Sequence, residues 1–248
     1  MKVNLSFFQK QHLFFDKEEM QPWFSDLEGQ ASQRNISLIS GIFAKDPENP
    51  VSIERYNRIQ GFGATKGYYD KIYLVPFGEF IPLKDYIGKI VDIMGINQFN
   101  ILQGEAYSHL ISIKLGISAS ICYEIAFNEL VRKTAKSGNL LVTISNDTWF
   151  GASIGPEQHL EIAQSRALEH QKSLIRATNS GISAIIDRRG KIVKRQGFFE
   201  RKELKGEISI YEGNTPFSII CNYLIYGYII LMYMYLFQLK RTNVLNKS

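Results

Sequence analysis

The sequence predicts a layered α/β domain, and three observations carry that prediction. Short apolar runs alternate with longer amphipathic stretches from residue 22 to residue 194. Several of those runs end in polar residues, as strands do where a site is assembled. Hydrophobic residues make up 45% of the 248-residue chain, enough to fill one large core or two small ones.

Taken in order, Pro22–Arg34 reads as a polar helix and Ile36–Phe43 as the first strand. Lys71–Pro76 (KIYLVP) reads as a strand entering a turn at Pro76-Phe77-Gly78. Tyr86–Met94 reads as a short amphipathic helix, and Gly95–Glu105 as a long loop. Gly116–Tyr123 is a buried strand, Glu129–Ser137 a helix, and Leu140–Ser145 (LLVTIS) a second buried strand. Pro156–Ser173 is a long helix with Leu160, Ala163, Ala167 and Leu168 on one side. Ile182–Ile186 and Lys191–Lys194 form a hairpin turned at Asp187-Arg188-Arg189-Gly190.

Phe217–Leu239 contains no charged residue. About 20 apolar residues suffice to span a bilayer as a helix, so residues 217–239 are expected to be a transmembrane helix. Lys240-Arg241 follow directly, which places a tail of residues 240–248 in the cytoplasm. Residues 1–15 show no small-residue cleavage site of a signal peptide. The net charge of +5 comes with no basic helix, zinc-finger spacing or RNA-binding signature, which argues against nucleic acid. The two cysteines, Cys122 and Cys221, make no disulfide framework and are read as free thiols. Cys221 lies within the apolar terminal run and reads as filler.

Cys122 is the residue around which chemistry gathers. It ends the apolar run Ile117–Ile121 and precedes Tyr123-Glu124. By itself this leaves two readings open, a packed core thiol or a nucleophile aimed by a rigid strand. Two further segments carry polar residues at strand ends: residues 69–82, with Lys71 and Glu79, and residues 145–159, with Asn146, Asp147, Trp149 and His159. A desolvated Lys71 ammonium would lower the pKa of a nearby thiol and stabilise an oxyanion. Glu79 follows a Pro-Phe-Gly turn that fixes its position. Asn146-Asp147 alone reads as a turn, and Trp149 and Phe150 as packing near a pocket mouth. His159 and His170 read as polar groups of the long helix, because no second ligand has metal-binding spacing. No cofactor and no metal are expected.

Together these segments resemble the nitrilase (carbon–nitrogen hydrolase) superfamily, and within it the bacterial apolipoprotein N-acyltransferase branch. The residues carrying the resemblance are LVPFGEFIPL at 74–83, ICYE at 121–124, TISNDTWFG at 143–151 and the stretch from Ser153 to Asp187. The resemblance implies an αββα sandwich, followed here by the C-terminal transmembrane helix, and a Glu-Lys-Cys triad. Lys71 and Cys122 match two of its members, and Glu79 matches a second essential glutamate. Tyr123 and Glu124 match the residues beside the nucleophile, while Asn146 and Trp149 fall in the branch signature as pocket residues. The implied reaction passes an acyl chain from a phospholipid to the Cys122 thiol, then to the N-terminal amine of a diacylglyceryl-cysteine on an apolipoprotein. The implied setting is the bacterial inner membrane, with the catalytic domain on the periplasmic side.

The chain departs from that pattern at its start. In register, the triad glutamate falls near Phe8–Leu13, which reads Phe-Gln-Lys-Gln-His-Leu with no acid before Asp16. If the Phe8 codon is TTC, codons for Gln9–His12 read one base earlier give CCA, then GAA as one option, then two codons for Thr or Ala, which reads Pro-Glu followed by two such residues. Residues 1–14 are therefore expected to be an aberrant segment, the product of a frameshift or a sequence error, with the catalytic domain at 15–212. The family's membrane-spanning N-terminal half has no counterpart, which reads as truncation. Two alternatives to a working acyltransferase follow: a non-catalytic remnant of one, and a nitrilase-type amidase.

Overall fold

The computed structural model describes residues 2–8, 21–49, 51–83, 86, 101–105, 110–112, 115–200 and 202–245. In chain order the strands and helices are β1 (Lys2–Phe8), α1 (Gln21–Gln33), β2 (Ser37–Lys45), β3 (Arg55–Gly63), β4 (Thr65–Lys66), β5 (Tyr68–Asp70), β6 (Ile101–Leu102), β7 (Leu110–Ser112) and β8 (Leu115–Ile121). They continue with α2 (Asn128–Ala135), β9 (Leu140–Ser145), α3 (Gly155–His170), β10 (Leu174–Thr178), β11 (Ser183–Ile186), β12 (Ile192–Gln196), β13 (Glu203–Ser209), α4 (Pro216–Ile220) and α5 (Tyr223–Leu245). Short 3₁₀ turns follow β8 at Cys122–Ala126 and β9 at Asp147–Phe150.

Strand alternation builds the layers. On β8 and β9, Ile117, Ala119, Ile121, Leu140 and Val142 point to one side, where they pack with Ile59 of β3 and Tyr69 of β5. Residues of opposite parity, Leu141, Leu174, Ala184 and Ile186, pack beneath Val131 and Ala135 of α2 and Leu160, Ala163 and Ala167 of α3. Phe24 of α1 stacks on Phe62 at 5.5 Å and joins Ile42 on the far side of the smaller sheet. The result is the helix–sheet–sheet–helix sandwich that the resemblance implied. One sheet has the order β12-β11-β10-β9-β8-β7-β4, the other β2-β3-β5 with β6 beside β3, and β1 pairs with β13 antiparallel. β8, β9 and β10 run parallel, so Cys122, Asn146 and Asn179 follow strand ends on one edge of the sheet.

Several expectations are corrected. Lys71–Pro76 is no strand; β5 ends at Asp70. The reason is local: the backbone N–H groups of Ile72, Tyr73 and Val75 donate to carboxylates rather than to a neighbouring strand. The long helix stops at His170 because Gln171 adopts a left-handed conformation (φ 52°) and Lys172 leaves the helix. Lys172, buried, donates instead to the carbonyls of Ala135 and Gly138 and caps α2. The transmembrane helix expected at 217–239 is two pieces: α4 ends at Ile220, Cys221 takes φ 49°, and α5 starts at Tyr223. Tyr223, Tyr226, Tyr228, Tyr233 and Tyr235 dilute the apolar content of α5. Among the described residues, no helix is long and apolar enough to cross a membrane. The helix expected at Tyr86–Met94 lies, apart from Tyr86, outside the described residues, as do residues 9–20 with Asp16, Glu18 and Glu19.

Candidate active site

Cys122 follows the last residue of β8 and is half-buried, a free thiol with φ 53°. A non-glycine residue held in the left-handed region costs on the order of 1–3 kcal/mol and persists only where neighbours over-determine it. Two neighbours do so here. The buried Glu124 carboxylate accepts the Ile121 N–H through Oε2 at 2.7 Å. His159 Nε2 lies 3.0 Å from the Cys122 carbonyl oxygen.

Glu124 also reaches across to the lysine segment. Its Oε1 accepts the N–H of Ile72 at 2.7 Å, the N–H of Tyr73 at 3.0 Å and the Tyr69 hydroxyl at 3.0 Å. One carboxylate thus staples the backbone after Lys71 to the backbone before Cys122, and brings the two segments together. Burial pushes the Glu124 carboxyl above its ordinary range, against the N–H groups of Tyr73, Ile121 and Ile72 and the charge of Lys71.

Lys71 is only 1% exposed, and its Nζ lies 2.6 Å from Glu79 Oε2. Glu79 Oε2 also accepts the Val75 N–H at 2.9 Å, and its Oε1 accepts from Asn57 Nδ2 at 3.3 Å. The Lys71 backbone is fixed on both sides, its N–H donating to Asn57 O and its carbonyl accepting from Gly104. An ammonium removed from water this far is an electrostatic device rather than a solvated surface charge.

The remaining sequence-derived residues divide. Tyr123 is half-exposed and stands edge-on to Phe127 at 5.2 Å, while Phe127 stacks on Tyr73 at 4.7 Å. These three rings form an aromatic rim between the cysteine and lysine segments. Asn146 Oδ1 accepts from Thr148 N and Oγ1, which makes it the cap of a short turn. Trp149 is 74% exposed, so it does not pack as expected, whereas Phe150 lies edge-on to His159 at 5.8 Å. Among the described residues, no group of three His, Cys, Asp or Glu side chains is placed to hold a metal ion.

Sequence reasoning named Asp147 and His159 only as a turn residue and a polar helix residue, and missed the buried network they form with Arg176 behind Cys122. Asp147 is fully buried and bound to Arg176 Nη2 at 2.5 Å and to the Ser145 hydroxyl at 2.5 Å. Against the penalty of burial, His159, the Arg176 charge and the Ser145 hydroxyl hold the Asp147 carboxyl below its ordinary value. Arg176 Nη2 also lies 3.1 Å from His159 Nδ1. The available signal was Arg176 itself, an arginine within the otherwise apolar run Leu174-Ile175-Arg176-Ala177.

Fold and site define a carbon–nitrogen hydrolase: that family matches residues 5–212, and the chain belongs to it. The chain is homologous to apolipoprotein N-acyltransferases. It is 36% identical to that of Pasteurella multocida over 87% of this chain and 43% of the relative. With that of Haemophilus influenzae the identity is 37%, over 90% and 45%. The chain therefore spans less than half the length of these curated relatives. The fold is shared with a Saccharomyces cerevisiae member of branch 10 of the nitrilase superfamily, with TM-score 0.62, 17% identity and coverage of 83% of this chain and 89% of that one. It is shared too with the C. elegans NitFhit protein, with TM-score 0.61, 19% identity and coverage of 84% and 49%.

Proposed function

We propose that this chain transfers an acyl group through a thioester on Cys122, from a phospholipid to the N-terminal amine of an apolipoprotein. The observation that carries the acyl chemistry is the Glu124 staple, which joins the strained cysteine turn to the segment of the buried Lys71. The choice of acceptor rests on the N-acyltransferase relatives.

The steps follow from the residues. The Cys122 thiolate adds to the carbonyl carbon of the phospholipid ester, and negative charge develops on the carbonyl oxygen. Lys71 stabilises that charge, held in place by Glu79. The C–O bond then breaks, the lysophospholipid alkoxide takes a proton, and the acyl group remains on sulfur. The free α-amine of a diacylglyceryl-cysteine adds to the thioester carbonyl and loses a proton. The C–S bond breaks, an amide forms and the thiolate returns. These proton transfers need a general base; the family pattern puts a glutamate near Phe8–Leu13, where this chain carries Phe-Gln-Lys-Gln-His-Leu and no carboxylate.

The donor is a phospholipid and the acceptor a lipidated protein, which suits work at the bacterial inner membrane; the resemblance implies that the catalytic domain lies on the periplasmic side. The exposed apolar side chains of α5, among them Leu224, Ile229, Leu231 and Leu236, support contact with lipid there. The test is incubation of purified protein with radiolabelled phospholipid and a diacylglyceryl lipopeptide bearing a free amine. The expected product is the N-acylated lipopeptide. Release of labelled fatty acid at one rate with or without the lipopeptide would refute transfer and point to hydrolysis.

A further inference from the structure

We infer that His159, backed by Asp147 and Arg176, is a positioning residue that sets the Cys122–Tyr123 peptide plane for acyl chemistry. The inference deepens the acyl-transfer reading and rests on it for its kinetic readout.

The geometry begins with hydrogen-bond roles. The Cys122 carbonyl oxygen can only accept, so His159 Nε2, at 3.0 Å, carries the hydrogen and donates it. On the other side of the ring, His159 Nδ1 lies 3.1 Å from Arg176 Nη2 and 3.4 Å from Asp147 Oδ1, so the buried ion pair holds the imidazole from behind. Asp147 holds the arginine in turn, through Oδ2 at 2.5 Å, and Arg176 Nε donates to the Ile182 carbonyl at 3.1 Å. His159 is 4% exposed, Asp147 2% and Arg176 0%, so this chain of contacts is dry and its geometry is fixed by packing. It ties together the ends of β8, β9 and β10 and the first turns of α3.

What it fixes is a peptide plane. In a trans peptide the C=O and the following N–H point in opposite directions. Holding the Cys122 carbonyl on His159 therefore aims the Tyr123 N–H to the opposite side. The N–H following a nucleophile is a common oxyanion donor. Here that role requires Cys122 to stay at φ 53°. Removing the imidazole removes the side chain that holds the Cys122 carbonyl, and so favours relaxation of this strained residue.

The test compares His159→Gln with His159→Asn. A glutamine amide reaches the former Nε2 position and keeps a donor on the Cys122 carbonyl. An asparagine keeps a polar amide near Nδ1 but falls short of that carbonyl. Acylation of Cys122 by a p-nitrophenyl acyl ester should fall about 10- to 100-fold in the asparagine variant, the scale of a misplaced reacting group or a lost oxyanion donor. The glutamine variant should recover most of it. Alkylation of Cys122 by iodoacetamide, which builds no oxyanion, should proceed within about 2-fold of wild type in both folded variants. Equal acylation by the two variants would overturn the inference, as would acylation and alkylation falling together. If wild-type Cys122 alkylates but takes no acyl group, the acyl-transfer reading fails, and crystal structures of the same variants decide the positioning claim. Cys122 leaving the left-handed region in the asparagine variant upholds it, and an unchanged turn overturns it.

Discussion

Gly181 offers the sharpest steric test of the network behind the nucleophile. A Cβ at this position would sit 2.1 Å from Asp147 Oδ2 and 2.6 Å from Asp147 Cβ. Ordinary contacts lie at roughly 3.5–4.0 Å, so in Gly181→Ala the Asp147 side chain must retreat by more than about 1 Å. That retreat pulls it from Arg176 Nη2 and from the Ser145 hydroxyl, both at 2.5 Å. Overpacking costs about 1–3 kcal/mol, and breaking a buried ion pair about 3–5 kcal/mol. Allowing for relaxation, the substitution should destabilise the domain by about 3–6 kcal/mol. At about 2–4 °C per kcal/mol for a chain of this size, Tm falls by roughly 6–24 °C. Thermal unfolding followed by circular dichroism reads it. Gly29→Ala is the control: nothing lies within 4 Å of its Cβ, and it sits inside α1. That change should raise stability by about 0.5–1 kcal/mol. A Gly181→Ala protein melting within about 1 °C of wild type would refute the reasoning, because Asp147 would then have room the structure denies it.

Glu124→Gln should cost about 2–4 kcal/mol, because an amide cannot accept from Ile121 N–H on one side while accepting from Ile72, Tyr73 and Tyr69 on the other; denaturant midpoints check this. Lys71→Met should lower the rate of Cys122 acylation by about 10²–10³-fold while leaving iodoacetamide alkylation measurable, since the charge facing the oxyanion is removed. Burial, with the charges of Lys172, Arg166 and Arg132, lowers the pKa of His170 from 6.5 to about 4. Its unfolded form then binds the proton more tightly, so its contribution is lost as pH falls from about 6.5 towards 4, to a limit of about 3 kcal/mol. Urea melts at pH 7 and 4.5 should show this slope in wild type and a flatter one in His170→Gln.

Much of the architecture was legible because apolar period and burial agree. Leu140–Ser145 has the same bounds in sequence and structure, since a β-rich run between turn signals leaves little choice. β3 went unread because Arg58 and Gln60 interrupt its apolar pattern; Arg58 is neutralised by Asp70 at 2.6 Å and covered by the Tyr68 ring at 3.8 Å. Lys71–Pro76 looked like a strand because side-chain acceptors for backbone N–H groups come from residues distant in sequence, Glu124 above all. The terminal run failed as one helix for a local reason, the left-handed Cys221. At the site, Cys122, Lys71, Glu79 and Glu124 were recognisable by family pattern. Asp147, His159 and Arg176 fall within the family stretches too, but their joint role was not legible, because it arises only when the fold buries them against one another.

The central claim is that Cys122 carries the acyl group. Incubating detergent-solubilised protein with phospholipid bearing a labelled acyl chain, then mapping adducts by mass spectrometry, tests it most directly. The account predicts one acyl adduct on the Cys122 peptide, labile to hydroxylamine and absent from Cys122→Ala. A protein that takes no label, or a label that survives Cys122→Ala, would contradict it.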